Sequence, residues 1–488
     1  MFFIFLPYIF LFQPPNQLKK AGEISSFINF LGQIFYPLKT ITFYLLICNF
    51  TSYNKISPEL EVLVINRLSH ESVSRKTQYL LLAGMPVFFI VAGCFLQPLE
   101  TIIPGIWTLM IEPDFLITDY FVVGGIGSAF INAGLLTLMC VGLAYAFGLE
   151  VEGHTVTSAY LMFGFALFGK NLMNVWAILL GTFLYSWTHK IPLSKYLYVG
   201  FYGTALSPII TQMIHLPGLS PIVKLFLGIL VGITMGFVLP PLSVHVQSAH
   251  KGYSLYNVGF ACGIIATVVV SVLRSFGVAI GYRSFWYTGG NTVLAIVLYT
   301  FFIGMMLICV LVEKSRTFKC FIDILKTSGL GGTDYIKDKS FFVAGFNMGL
   351  NGIVGTTFVL LVGGQLNGPT IGGIMTIVGF GTTGKHLRNI LPVMIGVLLG
   401  CFLSSRSITD PVPMLALLFC TTLAPIAGKF GIIAGIIAGV LHYAVVMNVG
   451  SVYAGMNLYN NGFAGGLVAI LLVPLLQSFH HRFTNDEQ

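Results

Sequence analysis

The stretch GHTVTSAYLMFGFALFGKNLMNVWAILLG, residues 153–181, returns at residues 368–396 as GPTIGGIMTIVGFGTTGKHLRNILPVMIG. Gly153, Thr155, Gly164-Phe165, Gly169-Lys170, Leu172, Asn174 and Gly181 meet their counterparts at one constant spacing. These are Gly368, Thr370, Gly379-Phe380, Gly384-Lys385, Leu387, Asn389 and Gly396. Further along, Gly228, Gly232 and Gly236 recur as Gly431, Gly435 and Gly439. Leu255-Tyr256-Asn257 with Gly259-Phe260-Ala261 and Gly263 recurs as Leu458-Tyr459-Asn460 with Gly462-Phe463-Ala464 and Gly466. The blocks keep their order in both copies, which chance similarity between apolar segments would not produce. A long duplicated unit in an apolar chain is the mark of transporters and channels built on internal symmetry.

Composition sets the class around that repeat. With 56% hydrophobic and 9% charged residues, the chain has too little polar surface to cover a water-soluble globule. Apolar runs of about the 20 residues that cross a bilayer recur along it. The net charge of +8 therefore points to loop topology and not to nucleic acid. The eight cysteines stand singly in apolar segments, without the spacing of a metal or disulfide site. No metal, cofactor or enzymatic chemistry is expected, since no Ser/His/Asp grouping, phosphate loop or ligand cluster is present. Residues 1–12 are apolar but lack the basic start of a secretory signal and are followed by Pro14, Pro15, Lys19 and Lys20. They read as an interfacial stretch before a first span at 24–50.

Beyond that extra span, seven candidate segments lie at 80–96, 120–147, 155–169, 172–187, 196–213, 221–239 and 255–273. Seven more lie at 292–312, 341–362, 370–383, 387–403, 411–427, 430–447 and 458–476. The expected organisation is an N-terminal span and linker at 1–79 and a first repeat at 80–283. The first span of the second repeat follows at 284–313, then a basic linker at 314–340 and the rest of the second repeat at 341–488. Gly329, Gly331 and Gly332 predict a flexible linker. Segment 314–340 is rich in lysine, whereas 99–119 carries Glu100, Glu112, Asp114 and Asp119 and no Lys or Arg. The positive-inside rule then places 314–340 and the C-terminus in the cytoplasm and 99–119 outside, in a multi-pass protein of the plasma membrane.

An odd number of segments inserts the second copy upside down, so the two repeats should be related by an axis in the membrane plane. The third segment of each is short and glycine-rich and follows a polar stretch. Such matched, interrupted segments read as half-helices around a solute site, or as short helices packed through glycine. The first reading assigns Glu150, Glu152, His154 and Thr155 to a midplane site, opposite Gln365, Asn367 and Thr370. Thr155 and Thr370 would be N-caps. Lys170 with Asn174 and Lys385 with Asn389, each pair on one helical face, are secondary candidates, either coordinating an ion or solute or snorkelling to the interface. Tyr256-Asn257 and Tyr459-Asn460, at the start of the last helix of each repeat, either line a pore or cap a helix.

The repeated Gly-x-Thr, Gly-Phe, Gly-Lys-x-Leu-x-Asn and Leu-Tyr-Asn-x-Gly-Phe-Ala blocks resemble a bacterial multi-pass membrane protein family known only as a domain of unknown function. The arrangement of segments is similar to the seven-plus-seven inverted-repeat transporters of the nucleobase and anion-exchanger type. That resemblance implies half-helices facing each other around the solute. Leu-Tyr-Asn-x-Gly also resembles urea channels. The fold expected is an all-α polytopic membrane protein of two inverted seven-segment repeats. The function expected is secondary transport of a small solute, coupled to protons or sodium. A passive facilitator for a small neutral solute and a non-transport membrane protein are the alternatives. Membrane lipid is the expected partner, with a homo-oligomer compatible with the sequence.

Overall fold

Apolar segments bond their own backbone because lipid offers no alternative partner, and the described residues accordingly fold mainly as helix. The computed structural model describes residues 73–485 except 115–116, 279 and 281–283. The apolar stretch at 1–12, the expected span at 24–50 and most of the linker after it lie outside the described residues. The first half runs α1 (Arg75–Leu96), α2 (Leu99–Ile111), β1 (Ile117–Thr118), α3 (Tyr120–Val123), α4 (Ile126–Ala146) and α5 (Gly153–Phe165). It continues through α6 (Trp176–Thr188), α7 (Leu197–Gly203), α8 (Ser207–Ile214), α9 (Pro221–Ala249) and α10 (Asn257–Ser275). After β2 (Ser284–Phe285) the second half gives α11 (Asn291–Glu313), α12 (Ser315–Leu325), α13 (Tyr335–Asp338), α14 (Phe341–Leu361) and α15 (Gly368–Gly379). It ends with α16 (Leu387–Phe402), α17 (Pro411–Phe419), α18 (Ala424–Phe430), α19 (Ile432–Val449) and α20 (Asn460–Asn485). Each helix of the first half has its counterpart, in order, in the second. Among the described residues nine helical runs are long and apolar enough to cross a bilayer, counting Pro411–Phe430 as one. The chain is an all-α polytopic membrane protein.

The contacts between the halves are reciprocal, which is what a two-fold axis requires. A Cβ on Gly164 of α5 would come 2.9 Å from the Gly372 carbonyl oxygen of α15; one on Gly379 would come 2.9 Å from Tyr160 Cβ. Tyr160 and Met375 are repeat counterparts, and Met375 is the next neighbour of Gly164. The start of each short helix thus meets the end of the other, so α5 and α15 are antiparallel and the axis runs across them. Helices α10 and α20 cross at their first turns, where a Cβ on Gly462 would sit 3.0 Å from Gly259 Cα. The glycine stripes serve close packing: a Cβ on Gly181 would lie 2.9 Å from Gly236 Cα, and one on Gly396 2.8 Å from Gly439 Cα.

Three expectations are corrected. The 314–340 linker is ordered: it holds α12 and α13, the counterparts of α2 and α3. Its glycines serve close backbone approach, with Gly331 N–H bonded to Gly252 O at 2.9 Å. Thr155 and Thr370 are not N-caps. Residues Glu152 and Asn367 hold that position, while the Thr155 hydroxyl bonds Glu150 O at 2.7 Å and the Thr370 hydroxyl bonds Gln365 O at 2.8 Å. Segments 196–213 and 411–427 are broken at mid-length by 3-10 turns at Thr204–Leu206 and Cys420–Leu423. Pro208 and Pro425 follow those turns, and a proline lacks the N–H that would close the preceding α-helical bond.

Candidate functional site

Two aspartates set the short helices in place. Asp119 caps α3, accepting from Phe121 N at 3.0 Å, and reaches the other repeat to accept from Gly368 N, the first residue of α15, at 3.2 Å. Asp334 caps α13 from Ile336 N at 3.0 Å and accepts from Gly153 N, the first residue of α5, at 2.9 Å. A carboxylate at a helix start meets both its free N–H groups and its positive dipole end. Because α5 and α15 are antiparallel, the two caps mark opposite ends of the molecule, one at 99–119 and the other at 314–340.

At the far end of each short helix the chain turns sharply onto a lysine. Gly169 and Gly384 adopt φ of +143° and +128°, where a side chain would be strained. Asn132 of α4 donates to Ala166 O at 2.8 Å and Lys170 O at 2.9 Å. Asn347 of α14 does the same to Gly381 O at 2.7 Å and Lys385 O at 2.8 Å. Asn174 and Asn389 close the turns by donating to Gly169 O and Gly384 O at 3.1 and 2.9 Å. Lys170 and Asn174 do not share a helical face, because 166–175 is turn. Neither lysine snorkels: both are fully buried.

The lysines cross between the repeats. Lys170 donates to Tyr459 OH at 3.2 Å and to Phe201 O at 3.4 Å; Lys385 donates to Tyr256 OH and, at 2.7 Å, to Thr421 Oγ1. Each ammonium lies over two rings, Phe165 and Tyr459 at 5.4 and 5.1 Å, and Phe380 and Tyr256 at 5.0 and 4.4 Å. The tyrosines are held by extended chain that reaches the 3-10 turns. Leu255 N donates to Thr422 O at 3.0 Å and Leu458 N to Ala205 O at 3.1 Å. Unwound backbone inside an apolar protein persists only where the protein satisfies it or a wet cavity does.

A cavity of about 120 Å³ adjoins this centre. Tyr256, Tyr459, Phe165, Phe380 and Phe419 line its inner part, and His154, His250, Gly331 and Gly332 line the part towards the 314–340 end. No carboxylate is among its lining residues. The Nδ1 atoms of His154 and His250 are buried and have no protein partner.

The sequence-predicted residues divide between these places. His154 lines the cavity, while Thr155 and Thr370 bond within their own helix starts. Glu150 is exposed, and Glu152 is half-buried and ion-paired with Lys337, whose ammonium that carboxylate holds above the ordinary lysine range. Gln365 accepts from Gly289 N at 3.2 Å, and Asn367 donates to Tyr287 O at 3.2 Å, at the 99–119 end. The two groups are not brought together. By contrast, Tyr256 and Tyr459 meet Lys385 and Lys170, with Asn257 in the cavity wall and Asn460 bonded by Tyr453. The aspartate caps and the broken spans escaped the sequence reading although both are repeated: Thr118-Asp119-Tyr120 as Thr333-Asp334-Tyr335, and Thr204-x-Leu206-x-Pro208-Ile209 as Thr421-x-Leu423-x-Pro425-Ile426.

Inverted repeats, crossed lysine–tyrosine pairs and unwound chain at the centre define a multi-pass membrane protein with a polar core shared equally by its halves. The chain belongs to the family described as "Protein of unknown function (DUF1576)", whose model matches residues 99–275 and 313–478. No curated protein and no solved structure matches it.

Proposed function

We propose that the protein is a secondary transporter that moves a small solute by alternating access through the centre where Lys170, Lys385, Tyr256 and Tyr459 meet. One observation carries this reading: each lysine donates to a tyrosine of the other repeat, beside a cavity lined by Gly331 and Gly332 of the 314–340 segment. Ionisable groups buried in a membrane protein mark solute or ion pathways as a rule. An inverted repeat supplies two equivalent conformations, each open to a different side. With the lysine-rich 314–340 segment in the cytoplasm, the cavity belongs to the inward-open form. A catalytic role has less support, since the cavity lining holds no acid or nucleophile–base pair.

Counterflow in proteoliposomes tests the reading. A preloaded solute should accelerate uptake of its labelled copy, with the response to sodium and proton gradients reporting any coupling. Solute flux that saturates without trans-stimulation would replace the transporter with a facilitator.

A further inference from the structure

We infer that the transported solute is a small anion, an assignment that rests on the transport reading above. Each buried lysine meets a tyrosine of the other repeat and further partners in its own. Their partners are tyrosine and threonine hydroxyls, a carbonyl and four aromatic rings, all groups that suit an ammonium. Among the described residues no ion pair includes either one. The protein therefore gathers two lysine side chains at its centre and supplies no carboxylate to pair with them. Buried charge without a partner is unfavourable, and in membrane proteins such groups are paired as a rule. The missing partner is the solute.

The hydroxyls transmit this preference to the cavity. A tyrosine oxygen that accepts from an ammonium keeps its own proton for donation. Tyr256 and Tyr459 both line the cavity, so its inner end offers O–H donors backed by the two lysines. The lining contains no carboxylate to repel an anion. His250 is 1% exposed and donates Nε2–H to Asn257 Oδ1 at 3.1 Å, which leaves its Nδ1 as an acceptor for water. A cation would be repelled by the lysines, and a neutral solute would leave them uncompensated. A cavity of about 120 Å³ accommodates a small anion.

The test uses the full chain in liposomes with labelled chloride, nitrate, formate and acetate as probes, and with urea and glycerol as neutral ones. At least one anion should show saturable flux, reduced about tenfold or more by Lys170→Met or Lys385→Met. The same anion should raise the thermal midpoint of the detergent-solubilised protein at constant ionic strength, and Lys385→Met should abolish that shift. Tyr256→Phe and Tyr459→Phe keep the rings and remove the donor, and should raise the half-saturating concentration several-fold. If the lysine variants do not fold, unchanged half-saturation in both phenylalanine variants overturns the assignment. Flux of urea or glycerol without anion flux also overturns it and leaves transport standing. Anion flux undiminished in folded lysine variants overturns the role of the lysines. No flux of any probe by the folded protein removes the transport reading and this assignment with it.

Discussion

The buried amides and carboxylates of this protein do their work through bonds to backbone. Asn347 bonds two carbonyls at the Lys385 turn, and Asn351 shares the second. Asn347→Ala would leave Gly381 O without that donor, at about 1–3 kcal/mol, and Lys385 O with only the longer bond from Asn351 at 3.3 Å. The expected result is a lower thermal midpoint together with loss of transport, since Lys385 then loses its fixed position; a midpoint equal to wild type would refute it. Asp114 behaves differently. It lies in the connection between α2 and α3, fully buried, and accepts from Tyr120 OH at 2.8 Å, Asn174 Nδ2 at 2.9 Å and Thr211 Oγ1 at 3.1 Å. Burial among these neutral donors pushes its carboxyl up to about 8. The folded state therefore holds a proton that the unfolded chain releases near pH 4. The stability this group contributes is full below about pH 4 and is lost as pH rises through about 8. Asp114→Asn should flatten that part of the stability profile, which thermal melts of both proteins between pH 4 and 9 would measure. Its repeat counterpart is Gly329, so this dependence belongs to one end of the molecule.

Among the elements, α5 and α15 depend on caps supplied by the opposite repeat. Asp334→Ala should cost about 1–2 kcal/mol, the usual loss for a carboxylate cap, and Asp119→Ala a similar amount. Amide exchange at the first turn of α5 in Asp334→Ala would show the fraying locally, and protection as in wild type would refute the cap. Glu152→Gln touches only the half-exposed pair with Lys337 and should change stability by less than about 1 kcal/mol. The α10/α20 crossing is less forgiving. Gly462→Val sets its new side chain against the backbone of Gly259, which cannot yield as a flexible side chain does. A loss of about 1–3 kcal/mol is expected, together with impaired transport, because the same turns carry Tyr256 and Tyr459.

For the whole molecule, an experimental structure should superpose the halves by a half-turn across the helices, bringing Gly164 onto Gly379 and Asn257 onto Asn460. Orientation is measured by a single cysteine at Lys326 in intact cells. It should resist a membrane-impermeant label, and ready labelling would reverse the cytoplasmic placement of the 314–340 segment.

The repeat, the helical class and the inverted order of segments were legible in the chain because each depends on local quantities: apolar length, parity of segments and recurrence of blocks. The location of the centre was not. Short glycine-rich helices drew attention to residues 150–155 and 365–370, yet in an antiparallel pair the two helix starts lie at opposite ends. Only the tertiary structure could show that the lysines at the other ends point inward and reach tyrosines of the opposite repeat. The Thr118-Asp119-Tyr120 and Thr333-Asp334-Tyr335 triplets are equally visible in the sequence. Beyond the short helix beside it, each holds a helix of the other repeat, 249 and 181 residues away, and sequence position does not encode which N–H a carboxylate will find. Hydropathy and repetition are written residue by residue, whereas a site shared across a two-fold axis exists only once both halves have packed against each other.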